Sequence, residues 1–289
     1  MAEILQNSYA KINLTLDVLS KRQDSYHEVR MIMQTIELHD TLRIETAGEP
    51  GEIRVRSNLS YLPTDSRNLA YKAAQLFFDE TGIKNPGLTI DLKKRVPVSA
   101  GLAGGSGNAA AVLKGLNALF GAGISHEKLC KLGEAIGADV PFCLTGGTML
   151  AEGIGEKLTP LKAVPHAFVV LTKPAFSVST AAVYKALDSR RIISHPDTAG
   201  ALKAIDGQNL AELSIRLYNV LFDVVRLQHR TVSEIREELI VNGALGAVMS
   251  GSGPSVFGFF EKKEAAQTAY NTLKSKYRDT FLTETRNPG

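Results

Sequence analysis

The segment Ser99–Leu113 reads SAGLAGGSGNAAAVL, with glycine at positions 101, 104, 105 and 107, and runs directly into an alanine-rich, helix-favouring stretch. Glycine lets main-chain amides approach an anion closely and adopt positive φ. A helix that starts there adds unpaired N–H groups and the positive end of its dipole. Such a nest of amides binds phosphate. It is not a Walker loop, which needs a lysine directly after the glycines. Gly105, Gly107 and Ala110 satisfy G-x-G-x-x-A, but a dinucleotide fold also needs an acidic residue about 20 positions on, at a strand end. The acids in that region, Glu127 and Glu134, fall in a helical pattern. A loop that packs helix against sheet without any ligand is the alternative.

Little else in the chain carries chemistry by spacing alone. Two cysteines, Cys130 and Cys143, are too few and too far apart for a disulfide framework, a zinc site or a C-x-x-C pair, and are expected to be reduced and buried. The histidines at 39, 126, 166, 195 and 229 show no ligand spacing and are expected to be structural or exposed, and no metal cage is readable. The 33 basic and 30 acidic residues are interspersed, giving a net charge of +3. That is no footprint for nucleic acid, although a small anionic substrate is compatible with it. The N-terminal stretch MAEILQNSYAKINL lacks the layout of a leader, and no apolar run approaches the ~20 residues of a membrane helix. The expectation is a soluble cytoplasmic protein.

The elements that must position the loop follow from periodicity. AKINLTLDV alternates, with Ala10, Ile12, Leu14, Leu16 and Val18 opposite Lys11, Asn13, Thr15 and Asp17, which predicts a half-buried strand. Further strands are expected at 31–37, 41–46, 52–56 and 87–92, with a helix near 68–81. The helix after the glycines is expected to span NAAAVLKGLNALFG. Another, SHEKLCKLGEAIG, has Ser125 as N-cap and Gly137 at its end. FCLTGGTMLAEG reads as strands joined at the glycines. From about 166 the order is strand, helix, a helical insertion over roughly 198–227, then a helix with Thr231 and Glu234 at capping-box spacing, two strands, a helix and a strand. Without the insertion this is β-α-β-β-α-β, a ferredoxin-like split unit.

PVSAGLAGGSGNAA resembles the central motif of the GHMP kinases (galactokinase, homoserine, mevalonate and phosphomevalonate kinases), whose glycine loop and helix cradle ATP phosphates without a Walker lysine. AKINLTLDV and MSGSGPSVFG at 249–258 resemble the other two family motifs in the right order. The stretches SYHEV, RNLAYKAA, GADVPF and AEGIGEKL further resemble the members that act on a cytidine diphosphate-linked methylerythritol in isoprenoid synthesis. The resemblance covers nearly the whole chain. It implies a two-domain α/β (α+β) kinase, with an N-terminal domain (1–160) similar to ribosomal S5 domain 2 and a ferredoxin-like C-terminal domain (161–289). It also implies phosphorylation of the 2-hydroxyl of that small-molecule substrate by ATP. Mg²⁺ would arrive with the ATP, held mainly by phosphates and water. Another GHMP small-molecule kinase of homoserine or mevalonate type, or a non-catalytic nucleotide-binding homologue, is the alternative.

Roles follow from the same resemblance. Asp139 matches the catalytic base and Lys11 the catalytic lysine, and the two are expected within ~4 Å of each other. Pro97, Val98, Ser99, Ala100, Gly101, Leu102, Ala103, Gly104, Gly105, Ser106 and Gly107 match the ATP loop, with Asn68 and Lys94 where the family contacts adenosine. Tyr26 and His27 match the cytidine site and Tyr184 its second aromatic wall, a base between two rings gaining roughly 1–3 kcal/mol per stack. Asn13 and Thr180 are expected polar contacts to the same substrate. Three departures stand out. Ser25 replaces a usual glycine and is strained if its φ is positive. Gly107 replaces a usual serine, losing one potential hydroxyl contact to phosphate or Mg²⁺. Tyr9 stands where proline is common.

Overall fold

Alternation along AKINLTLDV produces a strand, yet both of its faces are covered: Lys11, Asn13, Thr15 and Asp17 are as buried as the apolar residues between them. The expected half-buried strand is therefore fully buried, and its polar face is satisfied by hydrogen bonds. Ile32 N donates to Thr15 Oγ1 at 3.2 Å, and the His195 ring bonds Asp17 at 2.7 Å.

The structure, a computed structural model, describes residues 2–287. The chain divides into two units, one comprising residues up to Ala10, His39–Val98 and Ala103–Thr145, the other Lys11–Leu38, Ser99–Leu102 and Gly146 onward. The elements of the first half are β1 (Glu3–Lys21), β2 (His27–Glu45), β3 (Ile53–Ser57), α1 (Leu69–Thr81), β4 (Leu88–Lys93), α2 (Gly104–Leu119), α3 (His126–Ile136) and α4 (Val140–Thr145). The long strands β1 and β2 give part of their length to each unit.

In the first unit, β4 lies between β3, its parallel partner, and the Thr41–Glu45 end of β2, antiparallel to it. Leu42, Ile44, Phe77, Ile90, Val112 and Leu116 form its core with the helices. Three expectations change here. The strands expected at 31–37 and 41–46 are one continuous β2. Phe142–Thr145 belong to helix α4: a short apolar run carries no period of its own, and Pro141 is tolerated in a first helical turn. Helix α2 begins at Gly104, four residues early, so three of the loop's glycines lie inside it.

In the second unit follow β5 (Thr148–Gly153), β6 (Lys157–Pro160), β7 (Phe168–Lys173), α5 (Thr180–Asp188), α6 (Thr198–Asp206), α7 (Leu210–Ser214), β8 (Tyr218–Asn219), α8 (Val220–Gln228), α9 (Thr231–Val241), β9 (Gly246–Met249), β10 (Val256–Phe260), α10 (Lys263–Lys276) and β11 (Asp279–Glu284). Residues Val29–Gln34 of β2 pair antiparallel with β5, and the short β8, inside the expected helical insertion, pairs parallel with Thr15 and Leu16. The sheet β11-β7-β10-β9 has the order of a ferredoxin-like split unit, as the strand sequence predicts. Thr231 does not cap α9. It is the first helical residue, and Arg230, in helical conformation, stands before it without a side-chain cap.

Candidate active site

The glycine loop reaches α2 through three left-handed residues, Ser99 (φ 50°), Gly101 (φ 74°) and Ala103 (φ 54°). Alternating left-handed residues turn successive amides toward one side, the geometry of an anion nest. Helix α2 is 16 residues long, has no side-chain cap on its first amides and no acidic residue in its first turn. By contrast α1, α3, α5, α6 and α8 are each capped by an Asn, Ser or Asp side chain. A bare positive helix end behind a left-handed loop suits the phosphates of a nucleotide.

The glycines themselves also answer to the protein. A Cβ at Gly101 would overlap the carbonyl of Ser250. One at Gly107 would lie 2.5 Å from Ser8 Oγ, one at Gly104 3.1 Å from Val96 Cγ1, and one at Gly105 3.3 Å from Leu69 Cδ1. Ser8 Oγ thus stands beside the place where the residue-107 side chain would begin. The third glycine motif is the loop between β9 and β10, with Gly251 and Gly253 at positive φ. Ser250 Oγ donates to Gly101 O at 3.0 Å and accepts from Asn13 N at 3.2 Å. Asn219 Nδ2 donates to the carbonyls of Met249 and Gly251, both at 2.8 Å, while its Oδ1 caps α8 at Leu221 N. Ser250 falls within the third glycine motif, although its own role there was not read, and Asn219 lies in an ordinary stretch outside every motif.

Lys11, on β1, is buried and donates from Nζ to Asn13 Oδ1 at 2.7 Å, so strand period 2 brings these two predicted residues together. Thr180 opens α5 and bonds Ser252, in the third glycine motif, at 2.8 Å. Asp139 is half-buried at the entrance to α4, where its carbonyl accepts from Cys143 N at 3.1 Å.

Lys94 and Asn68 are engaged within the protein. Lys94 Nζ donates to Asp40 Oδ2 and, at 2.9 Å, to Asn108 Oδ1. Asp40, with no exposure, also accepts from Arg95 N (2.7 Å) and Val96 N (2.8 Å) on Oδ1, and from Asn108 Nδ2 (2.9 Å) on Oδ2. Asn108 Nδ2 reaches Ser8 Oγ as well. The ammonium lies close to Gly104, at the start of α2, on the residue that follows β4, and it is held there by the buried Asp40. Asn68 caps α1 through Ala70 N and donates to Pro63 O.

The predicted cytidine residues meet at the start of β2. Ser25 has φ 69°, the positive value at which a serine is strained. The Arg22–Tyr26 turn it serves is closed by Arg22 N donating to Tyr26 O at 2.8 Å. Tyr26 is exposed, whereas the His27 side chain is only 9% exposed. The His27 ring stacks at 4.7 Å and 32° on Tyr184, one face of α5. Its Nε2 bonds Asp188 Oδ1 at 2.6 Å, and Lys21 Nζ bonds Asp188 Oδ2 at 2.5 Å. Lys21, and then His27, hold the Asp188 carboxyl below the usual aspartate range. The sequence reading did not single out Asp188 or Lys21.

Cys130 and Cys143 are free but half-buried rather than buried, and burial pushes the Cys130 thiol up. Among the described residues no group of three or more His, Cys, Asp or Glu side chains could hold a metal ion. A concavity of about 310 Å³ is bordered by Tyr218, Phe222, Asp223, Arg226 and Arg236, and by none of the predicted site residues. No helix among the described residues is long and apolar enough to cross a membrane.

The family model described as GHMP kinases N terminal domain matches residues 68–147, and that of GHMP kinases C terminal matches 199–279. The chain belongs to the GHMP kinases, has their two-domain fold, and by membership uses ATP. It is similar to the 4-diphosphocytidyl-2-C-methyl-D-erythritol kinase of Clostridium novyi (strain NT), 50% identical over 96% of this chain and 98% of the relative. The enzyme of that name from Clostridium kluyveri is also 50% identical, over 98% of this chain and the whole relative. A crystal structure of 4-(cytidine 5'-diphospho)-2C-methyl-D-erythritol kinase superposes with a TM-score of 0.81 at 32% identity, covering 99% of this chain and 100% of that one. The mevalonate kinase of L. major, at 18% identity and a TM-score of 0.77, shares the fold.

Proposed function

We propose that this chain is a 4-diphosphocytidyl-2-C-methyl-D-erythritol kinase, transferring the γ-phosphoryl group of ATP to the 2-hydroxyl of that substrate. The observation that carries this reading is half identity, end to end, with enzymes of that name. The bare N-terminus of α2 and the left-handed loop before it support the placement of ATP phosphates along Pro97–Gly107. Lys94, paired with the buried Asp40 and lying close to Gly104, fixes the entry to α2 at the same loop. Mg²⁺ arriving with the nucleotide, held mainly by its phosphates and water, would supply charge neutralisation at the transferring group.

Phosphoryl transfer is chiefly positioning and charge stabilisation, but the acceptor hydroxyl must still lose its proton. We assign that proton to Asp139. Lys11, whose ammonium donates to Asn13, is assigned as the catalytic lysine that stabilises the developing alkoxide. Tyr26, His27 and Tyr184 hold the cytosine, and Thr180 sits with Ser252 where a substrate phosphate or hydroxyl can be bonded. On this reading residues 1–160 carry the nucleotide loop and the reacting pair, and 161–289 the ferredoxin-like half, in a protein of the cytoplasm. The test is ADP release with the cytidyl substrate, mevalonate and homoserine in parallel. Wild type turns over the first alone, and Asp139→Asn loses on the order of 10²–10⁴-fold in kcat. Turnover of mevalonate or homoserine, or ATP binding with no acceptor consumed, overturns the reading.

A further inference from the structure

We infer that Asp188 is a positioning residue that fixes the tautomer of His27 and, through it, the choice of a pyrimidine bearing an amino group over one bearing an oxo group. The inference rests on the cytidine site proposed above, and everything it needs lies within the second unit.

The geometry is specific. Asp188 ends α5 one helical turn after Tyr184, and i, i+4 spacing puts both side chains on the same helix face. His27 meets that face twice, with its ring over Tyr184 and its Nε2 on Asp188 Oδ1 at 2.6 Å. An ionised carboxylate only accepts, so Nε2 carries the proton. Lys21 bonds the other carboxylate oxygen at 2.5 Å. The ammonium balances the carboxylate, and the imidazole need not be cationic to satisfy it. In the neutral ring with the proton on Nε2, Nδ1 is an acceptor. Among the described residues Nδ1 has no protein partner.

An acceptor in that position discriminates by chemistry. Cytosine offers an N4 amino donor, whereas uracil offers an O4 acceptor at the same edge. Facing Nδ1, the first gains a hydrogen bond and the second leaves two acceptors opposed. Were the proton free to move to Nδ1, the preference would be lost or reversed. Lys21, Asp188 and Tyr184 thereby give His27 an identity that the imidazole alone lacks. The tight turn before His27 sets where its backbone starts, and the carboxylate sets which nitrogen faces the base.

Two measurements test this. The first uses the unmodified protein: a ¹H–¹⁵N long-range spectrum of ¹⁵N-histidine-labelled enzyme at neutral pH, with the signal assigned by His27→Gln. It should show His27 protonated on Nε2 and bare at Nδ1. The second compares the affinities of cytidine 5′-diphosphate and uridine 5′-diphosphate for wild type, Asp188→Asn, Asp188→Ala, His27→Ala and the His27→Ala/Asp188→Ala double variant. Wild type should favour the cytidine compound by about tenfold or more, the scale of one hydrogen bond left unmade. Asp188→Ala should bring the two within about twofold of each other. Asp188→Asn keeps a carbonyl oxygen for the Nε2 proton and should retain most of the preference, which a purely electrostatic role would not allow. With the cytidyl substrate, the Asp188→Ala loss should fall on KM rather than kcat. The double variant should be no worse than His27→Ala, because the carboxylate acts through the ring. A proton on Nδ1 in wild type, a preference that survives Asp188→Ala, or additive losses in the double variant would each overturn the inference. A wild type that shows the tautomer and the preference, yet releases no ADP with the cytidyl substrate, overturns the kinase reading and leaves this one standing.

Discussion

Two clusters in this molecule use nearly the same ingredients and reach opposite ends of the burial scale. In the first unit Lys94 and Asp40 pair with side-chain exposures of 4% and 0%, and Asn108, Ser8 and two backbone amides complete the network. In the second, Lys21 and Asp188 pair at 54% and 28% exposure, with His27 on the remaining carboxylate oxygen. The buried carboxylate has both oxygens engaged, so it can give nothing to a ligand, and its function is to hold Lys94 and the entry to α2 in place. The exposed carboxylate fixes one nitrogen of His27 and leaves the other to a ligand. An ion pair sealed in the interior stabilises or breaks the fold, whereas one at the surface sets orientation at little cost in stability.

The largest way to break that contrast is Asp40→Ala. It leaves Lys94 as an uncompensated buried cation and orphans two backbone amides, and unfolding in urea should show a loss of about 3–5 kcal/mol. Asp40→Asn keeps an acceptor for the amides and should lose less. Because the pair is buried, 1 M salt should leave the deficit largely intact.

Gly107 sharpens the same network from its other side. A Cβ there would stand 2.5 Å from Ser8 Oγ and 3.3 Å from the Tyr9 carbonyl. Gly107→Ser should therefore destabilise by about 1–3 kcal/mol through overpacking. Ser8→Gly in the same chain should recover most of that loss, measured as the coupling in a double-mutant cycle. Recovery would mean that Ser8 occupies the space of the family's usual serine. Additive losses would mean that it does not.

These relations explain which parts of the site the sequence disclosed. Periodicity showed most of the strands, most helices and the split ferredoxin-like order, but not the short β6 and β8, which are too brief to repeat; along AKINLTLDV the apolar and polar residues alternate even though both faces are buried. Periodicity also missed α4, since an element of six residues is too short to show a period, and it began α2 late, since glycines read as loop. The glycine loop was legible as an anion cradle. That Gly101 and Gly107 are also dictated by Ser250 and Ser8 was not, because those contacts span 149 and 99 positions (250 − 101 and 107 − 8). Asp40 and Asp188 were invisible for the same reason: each lies in an ordinary stretch, 54 and 161 residues from the side chain it orients. Asn68, placed by resemblance at the nucleotide, serves visibly as the cap of α1, a role its position before a helical pattern already permits.

The turn that leads to His27 offers a smaller test. Ser25 at φ 69° carries the cost of a left-handed residue, about 1–2 kcal/mol, which glycine escapes. Glycine also enlarges the unfolded ensemble, offsetting about 0.4–1 kcal/mol of that gain. Ser25→Gly should thus stabilise by between about 0 and 1.6 kcal/mol in denaturant unfolding. Any change in affinity for cytidine 5′-diphosphate would report how far the turn sets the position of His27.

The smallest effect on stability is expected at Asp188, and its dependence on pH and salt separates it from Asp40. Lys21 and His27 lower the folded-state pKa of Asp188 beneath its ordinary value. A depressed carboxylate contributes stability that is fully present above the unfolded pKa, near 3.9, and is lost as pH falls through the lower folded value. The difference in unfolding midpoint between wild type and Asp188→Ala should be small at pH 7 and shrink further as the medium is acidified below about pH 4. At 1 M salt, where the screening length is about 3 Å, it should vanish even at neutral pH. A deficit at Asp188 that survives high salt would place that carboxylate among the structural ion pairs, and the distinction between the two clusters would then have to rest on ligand affinity alone.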